Sequence, residues 1–431
     1  MRQSLALSLI AALTAASGGA AASGFQLQNQ SGAGNGNAFA GAAAAAEDAS
    51  TVFFNPAGMA LLPRGHNISL SATALNRSIH FDDKGSTTTL GGMFPLASGD
   101  GGNGGGISYL PHGYWAWGVD DRFSVGVGVG PTFGNKTEYD DDFTGRNAGF
   151  FFEMKQYNIN PSLAFKLNET LSLGAGINFA YNESRFKQGV PLVMPAMGYP
   201  AGNHLDVKGS DWALGYNLGL MLQLTPATRL GLAYRSQLDF KLEGRERWAQ
   251  PTAAGVDQPI RASIKTPANL SLALSQSVGE RWEILGDLTW TEWSVIDTIQ
   301  VKNKNSGQAL QQIPYRFRDT WRIGVGANYR YSDTLKLRFG VAHDKTPVRA
   351  PSDRTMTLPD ADRTWLSVGA KYQLSGTTSL DVGYTHIFFD TVDTARQVST
   401  GYPGPETVRQ TVRGEFKTSV DILSLQLNVH F

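Results

Sequence analysis

The sequence predicts an all-β protein, an antiparallel transmembrane β-barrel of about fourteen strands, and the two ends of the chain carry the evidence. Residues 423–431 alternate strictly between apolar and polar side chains and end on Phe431. A period of two places the apolar side chains on one face of a strand and the polar ones on the other. Residues 1–22 have the pattern of a secretory signal peptide. An exported chain with such a closing strand is typical of an outer-membrane barrel, with lipid outside and a wet lumen inside.

The predicted signal peptide combines Arg2, an apolar run over 5–16 and an Ala20-Ala21-Ala22 cleavage signal. The apolar run is too short to span a bilayer as a helix, and no run of eighteen apolar residues follows it. Any membrane crossing must therefore use strands. We expect the mature chain to begin at Ser23 and to reside in the bacterial outer membrane.

The composition agrees with a barrel and argues against several kinds of site. The 49 glycines among 431 residues suit turns, bulges and crowded lumens, and the 22 Phe and 14 Tyr suit membrane girdles. The chain has no cysteine, which excludes disulfides and thiolate metal sites. Lys plus Arg equals Asp plus Glu at 37 each, which gives no support for nucleic-acid binding. We expect no metal and no cofactor.

Residues 23–64 differ from the remainder, because they are rich in Gly, Ala and Asn and lack sustained alternation. The segment is too poor in large apolar residues to fold alone. We predict a plug, or hatch, packed inside a barrel formed by residues 65–431, and the alternative is a flexible periplasmic extension. The candidate hatch residues are Phe25, Asn55, Pro56 and Ala57.

Beyond the plug, alternating segments recur, and short polar turns between them alternate with long connections. This asymmetry is typical of outer-membrane barrels, and the count of about fourteen strands puts both ends of the barrel on the periplasmic side. The clearest segments begin at Ser124, Leu171, Leu214, Trp282, Trp321, Leu335 and Leu380.

Two of the long loops are unusually apolar. An apolar, methionine-bearing surface often marks a binding site for a hydrophobic partner. The alternative is that the loops pack on each other and close the barrel mouth, and both can hold. The residues concerned are Met93, Phe94, Leu192, Val193, Met194 and Met197.

Strand parity directs several arginines into the lumen. Trp321 and the alternate residues after it form an apolar outward set, so Arg318 and Arg322 point inward, as does Arg338 on the next strand. A guanidinium suits bidentate binding of a carboxylate. The alternative is a structural network in which these arginines pair with inward acids such as Glu283 or Asp287.

Signals for an enzyme are weak. The seven histidines are scattered, and the sequence has no zinc-protease, nucleophile-elbow or P-loop motif. We therefore expect no catalytic residues. A Ser-His-Asp site can still assemble in space, so a barrel-embedded lipolytic enzyme stays open as an alternative.

At these residues the chain resembles the FadL-type family, the outer-membrane long-chain fatty-acid transport proteins, which includes aromatic-hydrocarbon channels. The resemblance covers nearly the whole mature chain. Its motifs are Ser23-Gly24-Phe25-Gln26-Leu27, Asn55-Pro56-Ala57-Gly58-Met59, Pro131-Thr132-Phe133-Gly134, Phe317-Arg318-Asp319-Thr320-Trp321-Arg322 and Leu358-Pro359-Asp360-Ala361-Asp362-Arg363.

The resemblance implies an extracellular capture groove, a deeper pocket for the fatty tail and a cationic cluster that receives the carboxylate. Arg318 falls on the family's basic head-group position. Arg185 lies near a second such position, although it shares parity with the outward Phe179. Release is expected to follow hatch movement and a lateral gap at a kinked third strand. That kink would involve Gly126, Gly128, Gly130 and Pro131, since proline cannot donate to the ladder.

We therefore expect passive transport of hydrophobic small molecules, with long-chain fatty acids favoured. The alternatives are a hydrocarbon channel on the same fold, a lipolytic enzyme and an aqueous porin. The expected partners are the transported molecules and the lipid and lipopolysaccharide of the outer membrane, around a monomeric barrel.

Overall fold

The computed structural model describes residues 24–88, 97–189, 203–249, 257–400 and 408–431. The predicted signal peptide and both apolar loops, with Met93, Phe94, Leu192, Val193, Met194 and Met197, lie outside the described residues. Within them, no helix is long and apolar enough to cross a membrane.

The described chain forms a single antiparallel sheet. Its twenty strands are β1 (Gly65–Asp83), β2 (Thr87–Thr88), β3 (Gly106–Gly118), β4 (Phe123–Glu138), β5 (Phe151–Lys166), β6 (Leu171–Gly189), β7 (His204–Thr225), β8 (Thr228–Arg235), β9 (Leu238–Trp248), β10 (Asp257–Thr266), β11 (Asn269–Val278), β12 (Trp282–Thr291), β13 (Thr298–Asn303), β14 (Ala309–Pro314), β15 (Thr320–Arg330), β16 (Leu335–Asp344), β17 (Arg363–Gln373), β18 (Thr378–Phe389), β19 (Val392–Thr400) and β20 (Val408–His430).

The sheet closes on itself because β1 pairs with β20 along nearly its whole length, from Asn67 opposite His430 to Asp83 opposite Gly414. Five barrel strands are each divided into two pieces, namely β8–β9, β10–β11, β12–β13, β14–β15 and β18–β19. The short β2 pairs only with β20 among the described strands. The predicted fourteen-stranded antiparallel barrel is confirmed.

The predicted faces of the last strand are also confirmed. Leu423 and Leu425 are about half exposed on the outer surface, whereas Ser424 and Gln426 are buried inside. A band of exposed large apolar side chains, with Leu214 at 68% the most exposed, covers the outside of the barrel. Such a band is what a bilayer requires, since apolar side chains there face lipid instead of water.

The hydrogen-bonded ladder on one side of β7 is interrupted where β9 gives way to β8. β7 pairs with β9 over Leu205–Ser210 and with β8 over Asn217–Thr225, which leaves residues 211–216 outside both ladders. The Asp211 carboxylate compensates in part, because it accepts a hydrogen bond from the Lys241 amide at 2.7 Å.

Residues 24–64, which we call the plug segment, pack against the inward faces of the barrel. They form four short helical turns: α1 (Gly32–Asn35), α2 (Ala42–Ala45), α3 (Thr51–Phe54) and the 3₁₀ helix η1 (Pro56–Leu61). The Ser31 hydroxyl caps α1 by accepting from the Gly34 amide at 3.0 Å. The Asn55 side chain caps η1 in the same way at the Ala57 amide. Two further 3₁₀ turns, η2 (Arg146–Ala148) and η3 (Trp293–Val295), lie between strands.

Glycines in the wall allow the backbone of this segment to approach the strands closely. A Cβ atom at Gly340 of β16 would overlap the backbone of Asn37, and one at Gly219 of β7 would overlap the side chain of Asn55. Only glycine leaves this space, which explains part of the unusual glycine content.

Candidate functional site

The largest group of buried apolar side chains fills the lumen between the plug segment and the extracellular loops. Trp293 of η3 is fully buried at its centre, and its ring meets those of Phe25 at 5.2 Å and Phe317 at 6.0 Å edge to face. We call this group the lumenal apolar cluster; its members are Phe25, Phe133, Phe152, Met154, Ala180, Leu238, Phe240, Leu242, Ile264, Trp293, Ile296, Tyr315, Phe317, Val348 and Leu358.

A cavity opens beside the lumenal apolar cluster. Its volume is about 50 Å³, which is smaller than a typical small-molecule site, so a ligand that enters it displaces neighbouring side chains. Most of its lining is aliphatic or aromatic, including Phe152, Phe186, Leu242, Ile264, Ile299 and Ile313. The lumen therefore offers an apolar binding volume.

Arg318 lies at the edge of this cluster, next to the buried Phe317. Its amide donates to the Pro347 carbonyl at 3.0 Å, and its Nε donates to the Thr346 carbonyl at 3.4 Å. The side chain is exposed, and it forms no ion pair with any carboxylate in the described part of the chain. The guanidinium of Arg318 therefore has hydrogen-bond donors available for a ligand.

Arg349 is a second cation at the same edge, and it was not predicted from the sequence. Its Nη2 donates to the Phe317 carbonyl at 3.0 Å, and it follows Val348, a buried member of the lumenal apolar cluster. Among the described residues Arg349, too, has no carboxylate partner. Alternation could not have found it, because a loop residue has no parity that would direct its side chain inward.

Arg322 points inward, as its parity predicts, and is buried. Its Nη1 lies 3.0 Å from an Asp287 oxygen, and its Nη2 donates to the Ala38 carbonyl of the plug segment. This arrangement corresponds to the structural network considered as the alternative. The Nη1 and Nη2 groups of Arg322 therefore both donate to protein acceptors.

Arg338 also points inward and joins the wall to the plug segment. Its Nη2 lies 2.7 Å from Glu47 and 2.8 Å from Asp381, and its Nη1 donates to the Asn37 side chain. Burial raises the pKa of Glu47, but the positive charges of Arg338, Lys336 and Lys371 outweigh it and hold that pKa well below its ordinary value.

Arg185 borders the cavity, but its guanidinium is directed elsewhere. It forms a salt bridge with Asp206, a residue of outward parity on β7, and lies 5.8 Å from the ring of Phe151. This placement follows the parity that Arg185 shares with Phe179.

The remaining candidate hatch residues tie the plug segment to the wall. The side-chain Nδ2 of Asn55 donates to the Ala43 carbonyl at 2.8 Å and to the Leu220 carbonyl of β7 at 3.0 Å. Pro56 and Ala57 pack closely against the wall at Gly174. Phe25 lies at the other end of the segment, inside the lumenal apolar cluster.

The third long barrel strand, β4, leaves its neighbour before its end. β3 and β4 pair only from Gly113 to Gly118 and from Ser124 to Val129, and the register of β4 against β5 shifts between Pro131 and Phe133. The extracellular half of β3 therefore has no ladder with β4, and the wall is interrupted there.

The plug segment occupies this interruption. The Leu27 amide donates to the Thr132 carbonyl at 3.0 Å, and the Gly134 amide donates to the Phe25 carbonyl at 2.9 Å. The Gln30 side chain donates to the Pro131 carbonyl at 2.8 Å.

The three glycines before the interruption make room for inward groups. A Cβ atom at Gly126 would come within 2.6 Å of Met59, and one at Gly128 within 2.8 Å of Tyr114. A Cβ atom at Gly130 would overlap the ring of His112.

The geometry offers little support for ester hydrolysis. The one His–carboxylate salt bridge among the described residues joins His386 and Asp421 at 2.7 Å. Both residues have outward parity, and Asp421 also accepts from the Tyr384 hydroxyl.

Comparison with known proteins identifies the family. The model of the family described as outer membrane protein transport protein (OMPP1/FadL/TodX) matches residues 13–431. The chain belongs to this family. The predicted resemblance and the outer-membrane location are both confirmed. Relatives of the chain are named as a transport protein and as a channel.

Relatives within the family differ in what their names say they carry. The chain is 28% identical to the long-chain fatty acid transport protein of Salmonella typhi, over 85% of this chain and 87% of that one. A solved Pseudomonas aeruginosa FadL homologue has a TM-score of 0.85 and 25% identity, covering 95% and 100% of the two chains. The Ralstonia pickettii toluene transporter TbuX has the same fold, with a TM-score of 0.66, 20% identity and coverage of 94% and 100%.

Proposed function

We propose that this FadL-family protein carries long-chain fatty acids passively across the outer membrane, with the tail in the lumenal apolar cluster and the carboxylate at Arg318 and Arg349. One observation carries the proposal: two arginines without a carboxylate partner among the described residues lie on neighbouring segments at the edge of the lumenal apolar cluster. The Arg318 backbone amide donates to the Pro347 carbonyl, and the Arg349 guanidinium donates to the Phe317 carbonyl, so the two segments are held side by side.

The energetics assign different roles to the two parts of the site. Burying a tail of about sixteen carbons gains roughly 0.8 kcal/mol per methylene, on the order of 10 kcal/mol in total. The tail therefore supplies most of the affinity. The cations select acids over hydrocarbons, because a guanidinium pair rewards a carboxylate and gains nothing from an apolar end group.

The proposed path begins at the two apolar loops and continues into the lumenal apolar cluster. A tail that enters the cluster competes with Phe25 for contact with Trp293, so binding is coupled to the first residues of the plug segment. Those residues also fill the interruption between β3 and β4. Displacing them opens a lateral route from the apolar lumen towards the bilayer, which we propose as the exit.

Equilibrium binding to the purified, detergent-folded barrel tests the head-group assignment. We expect the double variant Arg318→Gln/Arg349→Gln to bind oleate at least about tenfold more weakly than the wild type, a change of about 1.4 kcal/mol. Binding of oleyl alcohol, which has the same tail and no charge, should stay unchanged. Arg316→Gln is the matched control, since Arg316 is a neighbouring exposed cation that already faces Asp353 at 3.6 Å. Unchanged oleate affinity in the double variant would remove both arginines from the site.

A channel for hydrocarbons is the second candidate, and the apolar lining of the lumenal cavity favours it. The fold is also that of a toluene transporter. Toluene binding without oleate binding would replace the fatty-acid proposal with this one.

A further inference from the structure

The outer surface of the barrel carries a row of positive charges that transport through the lumen does not use. Arg185 on β6 lies directly opposite Lys208 on β7, and Lys208 lies directly opposite Arg245 on β9. We call these three residues the cation row. Their side chains are 40%, 54% and 48% exposed, so the charged groups reach the surroundings of the barrel.

Three positive charges in a row reduce the stability of the sheet when no anion is bound between them. Residues directly opposite on neighbouring strands have Cβ atoms about 5 Å apart, and like charges in this relation destabilise a sheet. Each member of the row has one acidic neighbour, Asp206, Glu183 or Asp257. These partners reduce the repulsion without neutralising the surface.

The surroundings of the cation row are positive overall. We count the outward charges in the cation row and in the two rows of paired residues directly above and below it, from β5 to β13. These three rows contain eight cations and five acids. The excess of three positive charges favours an anionic partner. The cations are Lys155, Arg185, Lys187, Lys208, Arg245, Arg247, Arg261 and Lys302, and the acids are Glu153, Glu183, Asp206, Glu243 and Asp257.

The height of the cation row identifies its environment. Tyr181 and Trp212 lie opposite each other on β6 and β7 with ring centroids 5.2 Å apart, and Trp212 is 61% exposed, as in an aromatic girdle at the membrane interface. Arg185 follows Tyr181 by four residues in the extracellular direction, which is about 13 Å along a strand. With the tilt of barrel strands, this places the row about 10 Å above the girdle, at the level of the polar head groups.

We propose that the cation row binds the phosphate groups of lipopolysaccharide in the outer leaflet. This partner fits both the charge and the location, because the protein resides in the outer membrane and its outer-leaflet lipid carries phosphates on sugars next to acyl chains. A guanidinium binds phosphate bidentately, so a phosphate between Arg185, Lys208 and Arg245 removes the repulsion within the row. The acyl chains then lie along the apolar band below Tyr181 and Trp212.

The test compares two triple variants of the full barrel in a non-ionic detergent, with lipopolysaccharide binding measured by native mass spectrometry. Arg185→Gln/Lys208→Gln/Arg245→Gln removes the row. Arg409→Gln/Arg413→Gln/Lys417→Gln removes three outward cations of β20 and is the control. We expect the row variant to bind at least about tenfold more weakly than the wild type and the control to bind like the wild type. Dephosphorylated lipopolysaccharide should bind the wild type as weakly as intact lipopolysaccharide binds the row variant.

Equal binding by the two triple variants would overturn the proposal. So would an equal loss of phosphatidylglycerol binding in the row variant, because that result would indicate general attraction of anions. If the triple variant does not fold, the single substitution Lys208→Gln serves instead, since Lys208 is exposed and lies at the centre of the row. It should then show a smaller loss that is confined to phosphorylated lipopolysaccharide. None of these results depends on whether the lumen carries fatty acids.

Discussion

The guanidinium of Arg338 in the barrel wall lies between two acids, 2.7 Å from Glu47 of the plug segment and 2.8 Å from Asp381 of β18. Arg338 is almost completely buried. One cation therefore joins the plug segment to a strand of the wall. In the release route proposed above, the strength of the Glu47 contact sets how firmly the plug segment stays in place.

The substitution Glu47→Gln should loosen the plug segment while Arg338 keeps its partner Asp381. Breaking one side of a buried ion pair costs roughly 3 kcal/mol, so we expect more frequent channel openings in planar-bilayer recordings. Lys336→Gln is the matched control, since Lys336 faces the other oxygen of the Glu47 carboxylate at 3.3 Å but is 31% exposed and contributes less than about 1 kcal/mol. Identical recordings from the two variants would contradict this role of Glu47.

The same contact predicts how channel opening depends on pH. The pKa of Glu47 is lower in the folded protein than in the unfolded chain, so its stabilisation is complete above the ordinary glutamate pKa and is lost as the pH falls through the lower, folded value. Wild-type openings should therefore not change between about pH 7 and pH 5 and should increase at lower pH. In Glu47→Gln this acid-induced increase should be smaller, and a full increase in that variant would assign the pH response to other groups.

Gly340→Ala should destabilise the folded barrel, because the added Cβ atom overlaps the backbone of Asn37. Overpacking of this kind costs about 1–3 kcal/mol, measurable as a lower midpoint of thermal unfolding. At Gly286, an added Cβ atom comes no closer than 3.9 Å to its nearest neighbour, the Gly324 carbonyl. Gly286→Ala should therefore unfold at the wild-type temperature, and a similar decrease in both variants would argue against close packing at Gly340.

A disulfide between the plug segment and β4 should block release. Gln26 and Phe133 form an isolated antiparallel bridge, which places their Cα atoms about 5 Å apart and within reach of a disulfide. The chain has no cysteine of its own, so Gln26→Cys/Phe133→Cys forms a single defined cross-link. We expect fatty-acid uptake into cells to stop in the oxidised state and to recover after reduction. Full uptake by the oxidised protein would exclude movement of this segment from the route.

The sequence predicts features whose cause is local, and the closing strand is the clearest example. Alternation alone places Leu423 outside and Ser424 inside, because the strand period depends on no other part of the chain. The same parity correctly turns Arg322 inward. The sequence alone could not show whether Arg322 pairs with Asp287 or with a ligand, because that depends on the register between β12 and β15.

Other parts of the structure depend on contacts that no local pattern records. Residues 211–216 continue the alternation of β7 without a break, yet they lie outside its ladders with β8 and β9 because those two strands are offset from each other at Ser236 and Gln237. Arg349 reaches the site through a loop, where side-chain direction follows from packing and not from a period.

The glycine contacts between wall and plug constrain the order in which the protein is assembled. At Gly340 the wall touches the backbone of Asn37, and at Gly219 it touches the side chain of Asn55, with no space left for a Cβ atom. The barrel itself closes when β1 pairs with β20. A segment held this tightly does not slide into a finished cylinder. We therefore expect residues 24–64 to be in place before the first and last strands pair, so that folding of this segment precedes closure of the wall.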